Sequence, residues 1–273
     1  MFVSEMMPIV PLLRWAGSKR QHVPFLRQCW ERSAHTRYIE PFAGSAAVFF
    51  AVAPPRAILG DINGDLIETY RTVRRKPYAV YRRLTRFATG EAAYYEVRAM
   101  RPTSAIAKAA RFVYLNRFCF NGLYRTNREG RFNVPYGAPR TTNLPGIEQF
   151  RACARLLLRA RLLGTDFRRA LASVEKGDFV YIDPPYVVSR RRVFIQYTKR
   201  HFSPDDLVDL STWLDEIDRR NAFFILSYAD SREARTLFRG WKLRRFSVRR
   251  NVAGFSNARR NHYEVFISNL TGF

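Results

Sequence analysis

Asp178-Phe179-Val180-Tyr181-Ile182-Asp183-Pro184-Pro185-Tyr186 is an apolar, aromatic and β-branched run that ends abruptly in Asp-Pro-Pro-Tyr. The run predicts a buried strand of a mostly parallel sheet, and the carboxyl end of such a strand is where open α/β sheets place their ligands. Pro184 lacks an N–H and limits Asp183 to extended geometry, while two fixed φ angles keep the next carbonyls outward instead of letting a helix begin. A carboxylate, a proline carbonyl and an aromatic face then share one rigid ledge. Such a ledge suits a planar base with an exocyclic amine: Asp183 and the Pro184 carbonyl accept its two hydrogens, Tyr186 stacks on its ring, and the nitrogen lone pair tilts out of the ring plane. A strand closed by a proline turn, with Tyr186 as packing, is the plainer reading of the same tetrapeptide, because short motifs also arise by chance.

A second segment, Tyr38-Ile39-Glu40-Pro41-Phe42-Ala43-Gly44-Ser45-Ala46-Ala47-Val48-Phe49-Phe50, reads as a short strand, a small-residue loop and the start of an apolar helix. The first N–H groups of that helix face whatever fills the loop. Arg56-Ala57-Ile58-Leu59-Gly60-Asp61-Ile62-Asn63 reads as the next strand. An acidic residue at its end, here Asp61, is the usual partner of ribose hydroxyls in Rossmann-type sheets. The loop is therefore expected to be a nucleoside site, against the simpler possibility that Gly44 serves only a βα turn.

Four segments, Trp15-Ala16-Gly17-Ser18-Lys19, Pro41-Phe42-Ala43-Gly44-Ser45-Ala46, Gly60-Asp61-Ile62-Asn63 and Asp183-Pro184-Pro185-Tyr186, stand in the order found in the Dam-like adenine-specific DNA methyltransferases, which this chain resembles from about Leu13 to Asn269. Between them, Asn116 to Arg125 followed by Gly130-Arg131-Phe132-Asn133-Val134-Pro135-Tyr136-Gly137 resembles that family's target-recognition hairpin. The resemblance implies S-adenosyl-L-methionine as methyl donor and adenine N6 as acceptor. It implies that Trp15, Lys19, Phe42, Gly44, Asp61 and Asp183 line the cofactor and adenine site, with Asp166 near the cofactor's adenine. Two positions depart from the family pattern: Ala46 stands where the loop usually has a second glycine, and Ser18 where the amino-terminal motif commonly has glycine. Each is expected to add a small side chain beside the cofactor path.

Composition points to a nucleic-acid partner. Lys and Arg number 47 against 23 Asp and Glu, a formal net charge of +24, which is too basic for an ordinary metabolic enzyme. Between Ala234 and Tyr263 there are nine basic residues (Arg235, Arg239, Lys242, Arg244, Arg245, Arg249, Arg250, Arg259, Arg260) and no acid, and Arg190-Arg191-Arg192, Lys199 and Arg200 follow the Asp-Pro-Pro-Tyr turn. Both clusters are expected to hold phosphates along the active-site cleft. Cys29, Cys119 and Cys153 are isolated and odd in number, which argues for a reducing compartment without disulfides. The histidines have no metal-ligand spacing, so no metal is expected. No apolar run approaches 18 residues, so neither signal peptide nor membrane helix is expected. The reading is of a cytoplasmic protein, in a bacterium or a phage-infected cell, acting as a monomer on double-stranded DNA.

The alternation of elements predicts an α/β fold: a mostly parallel Rossmann-like methyltransferase sheet, closed by an antiparallel ending, with an inserted and mainly helical target-recognition domain. Residues 1–64 and 158–273 form the catalytic domain, and 65–157 the insertion. Helices are expected at Asp65 to Arg75, Ala79 to Phe87, Glu91 to Met100, Ala105 to Asn116, Pro204 to Arg219 and Arg232 to Phe238. Strands after the insertion are expected at Arg161 to Asp166, Phe179 to Asp183, Ala222 to Ser227, Leu243 to Val248 and Tyr263 to Ser268. Within the insertion Phe120, Asn121, Gly122, Leu123, Tyr124 and Arg125 read as an exposed tip, in which an aromatic wedges into base steps and Arg125 binds guanine; alternation of Phe118, Phe120 and Tyr124 on one strand face would instead pack at least one of the three inward. Pro135, Arg249 and Arg259 complete the expected DNA contacts, and Asp183, Pro184 and Tyr186 the catalytic ones. Relatives acting on RNA or a protein amide usually carry Asn-Pro-Pro-Tyr, which the aspartate disfavours. A non-catalytic DNA-binding relative is supported by Ala46 alone.

Overall fold

A computed structural model describes residues 9–32, 35–137, 143–187, 202–248 and 262–273. The expected phosphate contacts Arg249 and Arg259, with Arg250 and Arg260 and the cluster of Arg190, Arg191, Arg192, Lys199 and Arg200, lie outside the described residues. The described elements run in the order α1 (Val23–Glu31), β1 (Tyr38–Glu40), α2 (Ala47–Val52), β2 (Ala57–Asp61), α3 (Gly64–Arg75), α4 (Pro77–Leu84), α5 (Glu91–Ala99), α6 (Ala105–Phe118), α7 (Ile147–Leu157), β3 (Ala160–Gly164), α8 (Phe167–Leu171), β4 (Phe179–Ile182), α9 (Pro204–Arg219), β5 (Phe223–Ala229), α10 (Arg232–Leu237), β6 (Lys242–Val248) and β7 (His262–Ser268).

The seven strands form one sheet in the order β3-β2-β1-β4-β5-β7-β6. The first five are parallel, and β7 inserts antiparallel between β5 and β6. The mostly parallel α/β sheet with an antiparallel ending is thus present. From β1 the chain moves outward to β2 and β3, and from β4 it moves the other way to β5, so the loops leaving β1 and β4 diverge. A crevice opens at that reversal. The period-2 alternation of a strand sends Tyr38 into the hydrophobic cluster on one face of the sheet and Ile39 into the cluster on the other. β4 is buried along its whole length, as its unbroken apolar run requires.

Helices α8, α9 and α10 cover one face. The elements between residues 65 and 157 do not enclose a core of their own: Val80, Tyr94, Val113, Phe118 and Val134 belong to the same cluster as Tyr38, Phe49, Leu59 and Phe179 beneath the other face. Helix α9 begins where expected, set by Pro204 in its first turn and a capping box in which Ser203 and Asp206 bond reciprocally. Helix α4 runs three residues earlier than expected at its end, because Pro77 occupies its first turn and Phe87 closes a turn onto Leu84 instead. Three helices were not anticipated. Helix α8 has five residues, too few for a 3.6-residue pattern to stand out, and the apolar stripes of α1 and α7 are interleaved with Arg, Gln and Glu.

Residues 118–136 form a turn and two bridges in place of the alternative of a continuous strand face. Phe118 ends α6 and is buried, Phe120–Gly122 is a single 3₁₀ turn, and the hairpin is held by two antiparallel bridges, Cys119 to Tyr136 and Thr126 to Phe132. The exposed tip narrows to Phe120 and Asn121, since Gly122 is buried and Leu123 packs on the core. Gly122 has φ +65°, and a Cβ there would lie 2.8 Å from the Cβ of Arg14. Gly130, at φ +74°, has no such neighbour. Gly122→Ala should therefore destabilise the protein by more than the roughly 1–2 kcal/mol that a left-handed alanine costs, whereas Gly130→Ala should cost no more than that. Equal midpoints for the two variants in urea unfolding would refute the close approach of the turn to Arg14.

Candidate active site

The loop leaving β1 is built on backbone contacts. The Ala43 N–H donates to the Gly60 carbonyl at 2.8 Å, and the Asp61 carboxylate, on the neighbouring strand, accepts from the Gly44 N–H at 3.0 Å and from the Asn63 N–H at 2.8 Å. Asn63 caps α3 in turn, its Oδ1 accepting from the Leu66 N–H. The Tyr70 hydroxyl donates to the Gly44 carbonyl at 2.8 Å, so Gly44 is held through both its N–H and its carbonyl. A Cβ at Gly44 would lie 2.8 Å from the Trp15 indole, and φ there is +48°. Glycine is required on both counts. Trp15 stacks beside Tyr124 at 6.3 Å, and Phe42 stacks on Phe167 at 5.2 Å. Burial raises the pKa of Asp61 against the pull of its two backbone donors. Each Asp61 oxygen uses one of its acceptor positions and keeps another.

Ala46, the residue in place of the second glycine, has φ +52° and a fully buried side chain. Its methyl group lies in the core and not beside an open path, which corrects the expectation. The cost falls on the backbone.

Across the crevice, Asp183 leaves the end of β4. Its Oδ1 accepts from Lys19 Nζ at 2.8 Å and from the Ser227 hydroxyl at 2.8 Å, and among the described residues no donor meets Oδ2. Lys19, 5% exposed, also donates to the Gly17 carbonyl at 3.0 Å. Tyr186 donates its hydroxyl to Glu264 Oε1 at 2.8 Å, and its ring meets the Tyr228 ring at 5.1 Å and the Lys19 ammonium at 5.4 Å. The turn continues with the Val187 N–H donating to the Tyr228 hydroxyl at 2.9 Å. Burial alone would lower the pKa of Lys19, but Asp183, Tyr186 and Glu264 outweigh it, so the ammonium is held protonated. Burial raises the pKa of Asp183, while Lys19 and Ser227 oppose the rise.

The structure thus brings Lys19 and Asp183 into direct contact, Tyr186 beside them, and Trp15, Gly44 and Asp61 together around the loop after β1. Phe42 joins an aromatic group with Phe167 and Phe202. Asp166 caps α8 and pairs with Arg168, which also binds Asp206 and Asp209. Arg125 donates to the Asn133 side chain at 2.7 Å and to its carbonyl at 3.2 Å, so its fork is partly occupied within the hairpin. Phe120 and Pro135 adjoin, the Phe120 N–H donating to the Pro135 carbonyl. Ser227, Glu264, Tyr228 and Phe167 escaped the sequence reading. Glu264 did leave a signal: it is the one acid in the run His262-Tyr263-Glu264-Val265-Phe266-Ile267, at a position that strand alternation turns inward with Phe266.

The family model described as D12 class N6 adenine-specific DNA methyltransferase matches residues 15–252. Among curated proteins, the chain is 30% identical to the type II methyltransferase M1.LlaDCHI of Lactococcus lactis subsp. cremoris over 95% of either chain. It is 34% identical to the retron Ec67 DNA adenine methylase of Escherichia coli, over 88% of this chain and 85% of that one, and 28% identical to a DNA adenine methylase of Vibrio cholerae over 95% of both. With the parallel sheet and the Asp-Pro-Pro-Tyr turn at its reversal point, the match over most of its length settles the class: the chain belongs to the D12 class N6 adenine-specific DNA methyltransferases and is a site-specific DNA adenine methyltransferase.

Proposed function

We propose that the chain transfers the methyl group of S-adenosyl-L-methionine to N6 of an adenine turned out of duplex DNA into the crevice between β1 and β4. Asp183 carries this reading: Lys19 and Ser227 occupy its Oδ1, and its Oδ2 is the acceptor that remains for an exocyclic amine. The Gly44 loop supports the nucleoside part, because only glycine fits beneath Trp15 and because Asp61 keeps acceptor positions for ribose hydroxyls. When bound, the cofactor supplies a methyl group already activated on a sulfonium sulfur. Trp15, Lys19, Phe42, Gly44, Asp61, Asp166 and Asp183 would hold it or border it.

In this reading Asp183 and the Pro184 carbonyl accept the two N6 hydrogens, and Tyr186 stacks on the adenine. Asp183 serves N6 as hydrogen-bond acceptor more than as a classical base. Most of the rate then comes from position and from lone-pair orientation. The adenine N6 is engaged in pairing within a duplex, so the base must leave the stack at a cost of a few kcal/mol. Exposed Phe120 and Asn121 suit a wedge beside the vacated stack, with Leu123 and Pro135 behind them. Arg125 would read a base, and Arg249 and Arg259 would bind phosphates. Residues 65–157 act as the target-recognition insertion on the catalytic remainder. The enzyme works as a monomer in the cytoplasm of a bacterium or phage-infected cell, and the type II name of the Lactococcus relative supports a setting beside a restriction enzyme.

Asp183→Ala should lower methyl transfer at least 10²-fold, roughly 2.7 kcal/mol of barrier, with duplex binding retained. Near-normal turnover would sink the assignment. Because burial raises the pKa of Asp183, protonation of the acceptor sets in at higher pH than for an exposed aspartate. The single-turnover rate should accordingly fall with decreasing pH along a limb centred above the ordinary value of about 4. A limb at or below that value would contradict a partly desolvated acceptor.

Asp61→Ala and Gly44→Ala should each weaken S-adenosyl-L-methionine binding by about tenfold or more, the first by losing ribose contacts and the second by forcing Trp15 off the loop. Calorimetry that found unchanged affinity in both variants would refute the pocket.

A further inference from the structure

Glu264 stands where the packing of β7 calls for an apolar residue. Its neighbours on the same sheet face are Phe266 and, across the ladder, Phe246, and the His22 ring meets those two aromatics edge-on at 5.0 and 5.1 Å. The residue is 4% exposed. A carboxylate in such a place is costly unless it is paired. Its Oε1 accepts from the Tyr186 hydroxyl at 2.8 Å and lies 3.7 Å from Lys19 Nζ, and its Oε2 lies 3.6 Å from His22 Nε2. Lys19 is therefore shared between two carboxylates, Asp183 at 2.8 Å and Glu264.

We propose that Glu264 is a positioning residue for methyl transfer: it fixes the Tyr186 ring through the hydroxyl and shares the Lys19 ammonium, so that Lys19 orients Asp183 without cancelling its charge. The proposal rests on the reading that Asp183 and Tyr186 receive the adenine. Without Glu264 the whole ammonium charge falls on Asp183, which becomes a weaker acceptor for N6, and Tyr186 loses the bond that sets its ring angle. The charges around Asp183 agree in sign, since Glu264 pushes its pKa up and Lys19 pulls it down. Among the described residues, the other titratable groups near it are Tyr38 and Glu40 from β1, Tyr181 from β4, Tyr186 from the turn and His22, whose pKa burial lowers.

The test compares wild type, Glu264→Gln, Glu264→Asp and Asp183→Ala in single-turnover methylation of a target duplex across pH. Glu264→Gln keeps shape and an acceptor for Tyr186 but loses the charge. Its rate should fall about tenfold, with the KM for DNA within about threefold of wild type and the acid limb moved to lower pH. Glu264→Asp keeps the charge and should return the limb toward its wild-type position. In a double-mutant cycle, Tyr186→Phe and Glu264→Ala should be non-additive, because both remove one hydrogen bond. A Glu264→Gln enzyme with wild-type rate overturns the proposal. So does one that is slower and less heat-stable with an unmoved limb, since that marks a purely structural role. An active Asp183→Ala enzyme would instead overturn the underlying site, and the two failures are distinct.

Discussion

Lys19 and Asp183 lie 164 positions apart in the chain and 2.8 Å apart in space, and the ion pair between them is the contact around which the site is organised. Lys19 is buried and Asp183 half-buried, so removing either partner leaves a poorly solvated charge uncompensated. The amino-terminal segment is thus tied to the end of β4. That tie brings Trp15 over Gly44, since only three residues separate Trp15 from Lys19 and the turn between them is closed by the Ser18 N–H donating to the Trp15 carbonyl at 3.1 Å. The two halves of the crevice are in this way set by one electrostatic contact and one short turn.

The sheet supplies the other half of the constraint. Parallel register places Tyr38 and Ile39 of β1 opposite Phe179 and Val180 of β4, so both strands end at the same level, and the reversal of strand order keeps their loops apart. Register between β2 and β3 aligns Asp61 with Gly164, which brings the Asp61 loop and the Phe167 helix to the same edge. Ser227 reaches Asp183 because β5 is the next parallel neighbour and its register pairs Leu226 with Ile182. Register therefore brings the carboxyl ends of β1, β2, β4 and β5 to one edge of the sheet, where the Lys19–Asp183 pair joins them to the amino-terminal segment.

How much of this could be read in the sequence followed from where each signal resides. The strand ending in Asp183 and the loop at Gly44 announce themselves locally, through an apolar run broken by two prolines and a small-residue loop before an apolar helix. Helix α9 was legible near its observed bounds, because its cap and first-turn proline are local chemistry. Ser227 and Glu264 were not, since a serine or an acid within a strand acquires meaning only from the neighbouring strand's register. The turn at Phe120–Gly122 was half legible: Asn121 and Gly122 mark a turn, but the close approach of Gly122 to Arg14 couples positions over a hundred residues apart. Charge patterning indicated nucleic acid without indicating which arginines are already committed. Arg125 leans on Asn133, and Arg168 joins α8 to α9.

Ala46 shows why a departure from a family pattern need not disturb the chemistry. The left-handed conformation costs an alanine roughly 1–2 kcal/mol. Its buried methyl recovers part of that, about 0.8 kcal/mol by area, and glycine would in addition lose more backbone freedom on folding. The surrounding bonds sustain the conformation: the Ala46 N–H donates to the Ala43 carbonyl at 2.6 Å, and its carbonyl accepts the Phe50 N–H at 3.0 Å. Because the added carbon points into the core, the face of the loop at Gly44 and Asp61 keeps the same backbone donors and the same space under Trp15. The one residue that favoured a non-catalytic relative is therefore accounted for by packing, and it leaves the Gly44 and Asp61 side of the crevice intact.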